Sequence, residues 1–323
     1  MSIRYRSELY GGLSLWIMLF HLNMFFNPLF GNNFLGRMAT LGECCVDVFL
    51  FVSGYCICYS LQRTPNYGLF LKKRVLRILP PYLLISIPYL MWRDGLRWNL
   101  LYSLSGFSFF LDGDTDTWFP IAIMFFYCIS PFLLRLLSGK KGPWMMCLLV
   151  ILSIVLTMTT NFFSRTSIMW TRLPAYALGI FFARNNIKIE EDGQEERPKT
   201  KLMLLIGGTL CLFIYAFTPF LSVLSSRFGS IYTRLSYLII ILPIIFLYNE
   251  TARYIPQIAR RFFSFCGKMS LELYMTHLFL LYVVSYYGLS SFMYPLALLV
   301  SIPAAFFVQR IVSLIVELFR IEL

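Results

Sequence analysis

Two histidines are the side chains of this chain best suited to proton transfer near neutral pH, and both lie within apolar runs. His21 follows the apolar run Leu13–Phe20. At a rise of about 1.5 Å per residue, it lies roughly 15 Å from the cytoplasmic start of the first helix, a depth near the middle of a bilayer. On such a helix Tyr10, Ser14, Ile17 and His21 share one face. Two interpretations stay open for His21: a structural histidine bonded to a neighbouring helix, and a reactive base in a buried cavity.

A second polar stripe lies in the segment that holds the other histidine. Ser270, Tyr274 and His277 are spaced at i, i+4 and i+7, so they share a face of a helix. This stripe either forms a hydrogen-bonded seam between helices or lines the same cavity as His21.

Arg74 and Arg77 lie in the basic stretch Lys72–Arg77, which we interpret as a cytoplasmic loop. Three residues apart, the two arginines share a face of one helical turn and can grip phosphates through bidentate hydrogen bonds. Ordinary positive charge on the cytoplasmic side explains the neighbouring lysines. The chain has no Walker loop, so a nucleotide would need another kind of site.

Asp47 opens the second apolar run, which continues through Gly54. A carboxylate at a helix start accepts backbone N–H bonds near the positive end of the dipole. The alternative is that Asp47 orients His21 or another polar group. Because Gly54 is small, it permits close approach of another helix.

Composition defines the elements that must position these residues. The chain has 323 residues, of which 58% are hydrophobic, 18% aromatic and 14% charged. A soluble domain carries about 25% charged residues, so this chain is predicted to be an all-α membrane protein in contact with membrane lipids. The net charge of +12 comes mostly from short loops and does not indicate nucleic-acid binding. No cysteine spacing indicates a metal site.

A helix needs about 20 apolar residues to cross the hydrocarbon core. Segments approaching that length lie at residues 10–27, 44–62, 76–92, 117–136, 144–161, 168–184, 201–219, 230–248, 271–288 and 294–317. The amphipathic stretch 95–111 is interpreted as an interfacial or re-entrant helix. The polar stretch Arg184–Lys201 is interpreted as a solvated loop.

The distribution of Lys and Arg predicts the orientation. With a cytoplasmic N-terminus, the inside segments hold 21 of these residues and the outside segments hold 7. This bias predicts a bundle of about ten transmembrane helices with both termini cytoplasmic. Because apolar segments recur from Gly11 to Phe319, the chain is predicted to form a single integral domain over residues 1–323.

In this order, the polar segments resemble the acyltransferase-3 family of integral membrane acyltransferases. The resemblance rests on His21 at the end of the first apolar run, Asp47-Val-Phe-Leu-Phe-Val-Ser-Gly54-Tyr55, Arg74-Val-Leu-Arg77-Ile-Leu-Pro80, and the segment Gly267-Lys-Met-Ser270-Leu-Glu-Leu-Tyr274-Met-Thr-His277. Weaker support comes from Trp118, Tyr127, Pro131 and Leu173–Gly179.

The resemblance implies a bundle of ten membrane helices that transfers an acyl group, most often acetyl from acetyl-CoA, to a hydroxyl of a carbohydrate or lipid-linked glycan. It implies polysaccharide O-acetylation at the cell envelope, by a multi-pass protein of the plasma or inner membrane. His21 matches the catalytic histidine of the family, as a general base or as the site of an acyl intermediate. Arg74 and Arg77 match its functional arginine pair, and His277 is expected to be supporting.

Two positions depart from the family pattern, and the one that matters more is Tyr10, since the other, an acidic residue absent near Ile123, is also missing in a branch of the family. The family usually has Arg or Lys eleven residues before the histidine, where this chain has Tyr10, and Arg6 lies one turn earlier. The alternative function is a transporter or flippase that moves a glycan-lipid without acyl chemistry. A titratable group beside the acceptor hydroxyl distinguishes the two, because only acyl transfer needs one.

Overall fold

The computed structural model describes residues 5–26, 34–95, 98–159, 166–191 and 225–318. All regular elements in these ranges are helical. In chain order they are α1 (Arg6–Phe25), α2 (Phe34–Thr40), α3 (Cys44–Arg63), α4 (Tyr67–Asp94), α5 (Trp98–Leu104), α6 (Trp118–Leu136), α7 (Gly142–Thr159), α8 (Ser167–Trp170), α9 (Leu173–Glu191), α10 (Ser225–Thr251), α11 (Gln257–Lys268), α12 (Ser270–Tyr286) and α13 (Met293–Leu318).

The apolar segments of the sequence coincide with the long helices. Four of the described helical stretches are long and apolar enough to cross a membrane: Leu35–Arg63, Tyr67–Asp94, Trp118–Leu136 and Met293–Leu318. The other predicted spans also overlap helices, except for the segment 201–219, which lies outside the described residues. The described part of the chain is therefore all-helical and contains four candidate membrane-spanning helices.

The prediction of a loop over Lys72–Arg77 is wrong, because the stretch lies inside α4. The Asn66 side chain accepts a hydrogen bond from the Leu69 N–H at 3.0 Å and so caps the start of this helix. The helix ends where Gly95, at a φ of 75°, donates its N–H to the carbonyl of Met91. The sequence predicts a later start for this helix, at residue 76, because only its apolar part was recognised as a span.

Within the stretch 95–111, the described residues from Trp98 onward form two short helical pieces rather than one amphipathic helix. α5 has 7 residues and a π-helical turn, Ser108–Asp112, has 5. Gly106 separates them at a φ of 83°, a left-handed conformation that favours glycine. A helix of 7 residues reaches only about 10 Å, so neither piece can cross a bilayer.

Two helical segments extend into regions where polar sequence suggested loops. α9 continues into the polar stretch as far as Glu191. α11, which the sequence reading missed, is an amphipathic helix of 12 residues with Arg260 and Arg261 on it. Burial raises the pKa of its Cys266 thiol to about 11, so this cysteine stays protonated and serves in packing.

The chain forms two compact units, each assembled from separate segments. The first unit comprises Met1–Tyr5, Asp47–Phe70 and Phe125–Tyr254. The second unit comprises Arg6–Val46, Leu71–Met124 and Ile255–Leu323.

In the second unit, α1 crosses α11 at two glycines. A Cβ atom at Gly11 would lie 1.8 Å from the Phe263 carbonyl oxygen, and one at Gly267 would lie 1.7 Å from that of Ser7. The backbones can therefore approach this closely only because both positions lack a side chain. α12 and α13 complete the packing around a buried cluster of Met18, Cys266, Met269, Leu273 and Ala305.

The first unit contains a similar close helix crossing at two glycines, between α3 and α9. A Cβ atom at Gly54 would lie 2.1 Å from the Tyr176 carbonyl oxygen, and one at Gly179 would lie 2.0 Å from that of Phe51. The predicted close approach at Gly54 is confirmed, and Gly179 is its counterpart on the facing helix.

Candidate functional site

The two histidines of the chain meet in the second unit. α1 carries His21 and α12 carries His277, and the His21 Nδ1 atom lies 3.0 Å from the His277 Nε2 atom. The ring centroids are 5.1 Å apart. The two polar stripes of the sequence therefore converge on one hydrogen bond between side chains.

The partners differ in their access to solvent. The His277 side chain is fully buried, and its Nδ1 lies 2.7 Å from the Leu273 carbonyl oxygen, one turn earlier on α12. His21 is only partly buried. Of the two imidazoles, His21 is therefore the one that a substrate can reach.

Tyr274 borders this histidine pair. Its ring packs edge-on against His277 at 5.8 Å and lies 6.5 Å from the His21 ring. Phe119 packs on its other side at 4.8 Å. Ser270 is the first residue of α12, about 10 Å along the helix axis from His277.

Tyr10 and Ser14 precede His21 on α1. The Ser14 hydroxyl donates a hydrogen bond to the Tyr10 carbonyl at 2.9 Å, so it is satisfied within its own helix. Ser14 and Ile17 are buried, while Tyr10 is partly buried. This face of α1 therefore lies against protein.

Arg74 and Arg77 belong to the same unit as the histidines. Arg77 is exposed and Arg74 is partly buried, and both lie on α4. Arg77 is close enough to the buried Glu272 for an electrostatic interaction. Glu272 lies in the first turn of α12, so Arg77 lies near the helix that carries His277. Sequence reading missed Glu272, although it lies within the polar segment Ser270–His277.

Asp47 forms a buried ion pair in the first unit. Its Oδ2 lies 3.7 Å from the Arg172 Nε, and the two side chains are 0% and 2% exposed. Arg172 also donates from its Nη1 to the Ile168 carbonyl at 3.1 Å. The sequence analysis did not identify Arg172 as this partner, and the available signal was its position beside the apolar segment Leu173–Gly179.

At the end of α4 in the second unit, Arg93 forms ion pairs with three carboxylates. Its guanidinium contacts Asp94 at 2.8 Å, Asp114 at 2.9 Å and Asp116 at 2.5 Å. The Tyr89 hydroxyl donates to Asp116 at 2.6 Å. Three carboxylates around one guanidinium leave excess negative charge and unused acceptor positions.

Aromatic rings surround these carboxylates. Tyr89 stacks on Phe279 with centroids 4.0 Å apart and an interplanar angle of 5°. The Trp92 indole donates to the Tyr287 hydroxyl at 3.0 Å and packs edge-on against Tyr286. The rings, Arg93 and its three carboxylates are called here the aromatic–carboxylate cluster. Within the described ranges, no group of three or more His, Cys, Asp or Glu side chains has an arrangement that could hold a metal ion.

The motifs noted in the sequence lie on the helices that build these sites. A family model described as an acyltransferase domain matches residues 11–313, nearly the whole chain. The chain belongs to the acyltransferase-3 family. No curated protein and no solved structure gives a significant match to it. As a member of this family, the protein is a membrane acyltransferase.

Membership in the acyltransferase-3 family confirms the resemblance found in the sequence. The geometry brings together His21, Tyr274 and His277, and it places Arg77 beside α12. Asp47 pairs with Arg172 within the first unit, and its expected role in orienting His21 or another polar group of the cavity stays a prediction. The roles of the individual residues in acyl transfer stay predictions.

Proposed function

We propose that this acyltransferase moves acetyl from cytoplasmic acetyl-CoA to a hydroxyl of a cell-surface or lipid-linked glycan. The observation that carries the proposal is the histidine pair, in which a partly exposed imidazole is held by a fully buried one. A flippase has no need of such a group, whereas acyl transfer to a hydroxyl needs a base beside that hydroxyl.

His21 supplies the base. As the acceptor oxygen forms its bond to the acetyl carbonyl carbon, His21 takes the hydroxyl proton. The C–S bond of the thioester then breaks, and the proton passes from His21 to the departing thiolate, which yields the glycan ester and free CoA. Attack by His21 itself, through an acyl-imidazole intermediate, uses the same side chain and the same partners.

Arg74 and Arg77 bind the phosphates of the donor. Guanidinium groups match phosphate oxygens bidentately, and both arginines precede the apolar part of α4. The electrostatic interaction of Arg77 with Glu272 supports a donor that enters near the start of α12. Tyr10, at the position where the family has a basic residue, adds no charge to this phosphate site.

The aromatic–carboxylate cluster suits the acceptor. Carboxylates accept hydrogen bonds from hydroxyl groups, and aromatic faces pack against the C–H faces of sugar rings. Tyr286 lies nine residues after His277 on α12, about 14 Å along the axis and away from Glu272. Donor and acceptor therefore approach His21 from opposite ends of this helix.

The same proposal includes the topology. Ten spans with both termini cytoplasmic, in the plasma or inner membrane, put Arg74 and Arg77 on the side where CoA is available. The excess of Lys and Arg in the predicted cytoplasmic segments supports this orientation.

The test replaces His21 with Ala and compares the mass of surface glycans at equal expression. The control is Leu19→Ala, an exposed position on the same helix. We expect acetylation to fall by about 100-fold or more in the His21 variant and to persist in the control. If the glycans reach the surface but carry no acetyl even with the wild-type protein, the acceptor assignment fails. If they reach the surface only in cells that contain the protein, and they carry no acetyl there, the flippase is favoured.

A further inference from the structure

The hydrogen bonds of His277 determine where its proton lies. Its Nδ1 faces the Leu273 carbonyl oxygen at 2.7 Å, and a carbonyl oxygen can only accept. The proton of a neutral His277 is therefore on Nδ1. A second proton on Nε2 would put a positive charge on a fully buried ring, which is strongly unfavourable.

This arrangement also determines the proton position on His21. The His277 Nε2 is an acceptor, so the His21 Nδ1 at 3.0 Å must donate to it. We infer that His277 is a positioning residue that holds His21 in the tautomer with its proton on Nδ1 and its lone pair on Nε2. The inference rests on the proposed function and specifies it at the level of one atom.

The Nε2 of His21 is then the atom that receives the acceptor proton. As the glycan hydroxyl attacks the thioester carbonyl, its proton passes to Nε2 while Nδ1 keeps its own. The resulting imidazolium donates a charge-assisted hydrogen bond from Nδ1 to His277, which is stronger than the neutral bond that preceded it. When the thiolate departs, the Nε2 proton passes to sulfur and the starting tautomer returns.

The proton position on His277 is determined by a hydrogen bond within α12 itself. The carbonyl that orients His277 belongs to Leu273, four residues earlier on the same helix. A helical carbonyl has a second lone pair after it accepts the backbone N–H of residue i+4, so it can also accept the side-chain proton. The direction of the hydrogen bond between His21 and His277 is therefore determined within one turn of α12.

The histidine content of the chain allows a direct test. With only two histidines, protein labelled with ¹⁵N-histidine contains four ring nitrogens, and solid-state NMR distinguishes protonated from unprotonated ones. The His277→Gln variant assigns the signals. We expect both rings of the wild-type protein in lipid at neutral pH to carry the proton on Nδ1. A His21 proton on Nε2, or a charged His277, overturns the inference without bearing on acyl transfer itself.

Kinetics of two His277 variants provide a second measurement. His277→Leu fills the site but accepts no hydrogen bond, whereas His277→Gln places an amide oxygen where Nε2 lies. We expect kcat to fall by about 100-fold or more in the Leu variant with an unchanged KM for acetyl-CoA, and by less than about 10-fold in the Gln variant. Equal kcat values in the two variants, at matched acetyl-CoA protection against heating, would show a packing role only. Loss of activity in His21→Ala is a separate result that tests the proposed function.

Discussion

Asp47 and Arg172 form a pair in which each charge depends on the other. Both side chains are almost completely buried in the first unit. Removing one partner of such a pair leaves an uncompensated charge in a medium that solvates it poorly, which costs about 3–5 kcal/mol. The pair therefore contributes to the integrity of the first unit.

We expect Asp47→Asn to lower the thermal stability of the detergent-solubilised protein substantially. The control is Glu8→Gln, which breaks the partly exposed ion pair with Arg260 and should cost about 1 kcal/mol or less. The double variant Asp47→Asn with Arg172→Gln should recover part of the loss, because the remaining groups are neutral. Equal melting temperatures for Asp47→Asn and Glu8→Gln would contradict a structural role for this pair.

Arg74 and Arg77 are expected to set the affinity for the acyl donor. Replacing either with Ala removes a charge-assisted interaction that contributes about 1.5–3 kcal/mol, so the Kd for acetyl-CoA should rise about tenfold or more. Lys72→Ala is the control, since Lys72 is exposed on the same helix. The measurement is the rise in melting temperature with added acetyl-CoA. An unchanged rise in both arginine variants would exclude phosphate binding by the pair.

At the scale of elements, the crossing of α1 and α11 determines where His21 lies. Gly11 is ten residues before His21, and the backbone of α11 occupies the space that a side chain at Gly11 would need. Gly267 makes the reciprocal contact just before α12 begins. Gly11 and Gly267 therefore permit the close packing of α1 and α11, and α12 with His277 begins directly after α11.

Adjacent glycines on α1 allow this crossing to be tested. At Gly11 a Cβ would lie 1.8 Å from a backbone oxygen, whereas at Gly12 it would meet nothing within 4 Å. We expect Gly11→Ala to lower both the melting temperature and the acyltransferase activity, because α1 must move away from α11. Gly12→Ala should leave both unchanged or raise stability by up to about 1 kcal/mol, since Ala favours a helix more than Gly. The crossing is not needed for activity if the two variants behave alike.

At the scale of the whole molecule, the distribution of Lys and Arg predicts the orientation of the chain. Arg172 had been counted among the 7 outside basic residues, but it is buried beside Asp47, so it says nothing about loop orientation. Without Arg172 the outside segments hold 6 basic residues against 21 inside, so the predicted bias remains.

Reporter fusions test the proposed orientation. Lys140 lies in the turn between α6 and α7, and Gln257 is the exposed first residue of α11. We expect fusions at both positions to report the cytoplasm, because each follows an even number of predicted spans from a cytoplasmic N-terminus. An extracytoplasmic signal at either position would rule out ten spans with both termini inside.

Local physics explains what could be read from the sequence. Apolar runs indicated most of the long helices, and helical spacing placed Tyr274 and His277 on one face, because pitch and side-chain period depend only on neighbouring residues. Apolarity did not locate the helix ends in basic or polar stretches, since Lys, Arg and Glu also form helices, so the start of α4 and the whole of α11 were missed.

By itself the sequence determined the class of the molecule, its family and the residues able to do chemistry. Only the tertiary structure decided which of these residues meet. His21 and His277 are 256 positions apart, and their contact depends on the close packing of α1 with α11 at Gly11 and Gly267 and on the position of α12 after α11. The partner of Asp47 likewise depends on packing, because Arg172 lies on a distant segment. No spacing along the chain contains this information, since a hydrogen bond between helices requires their relative position in space.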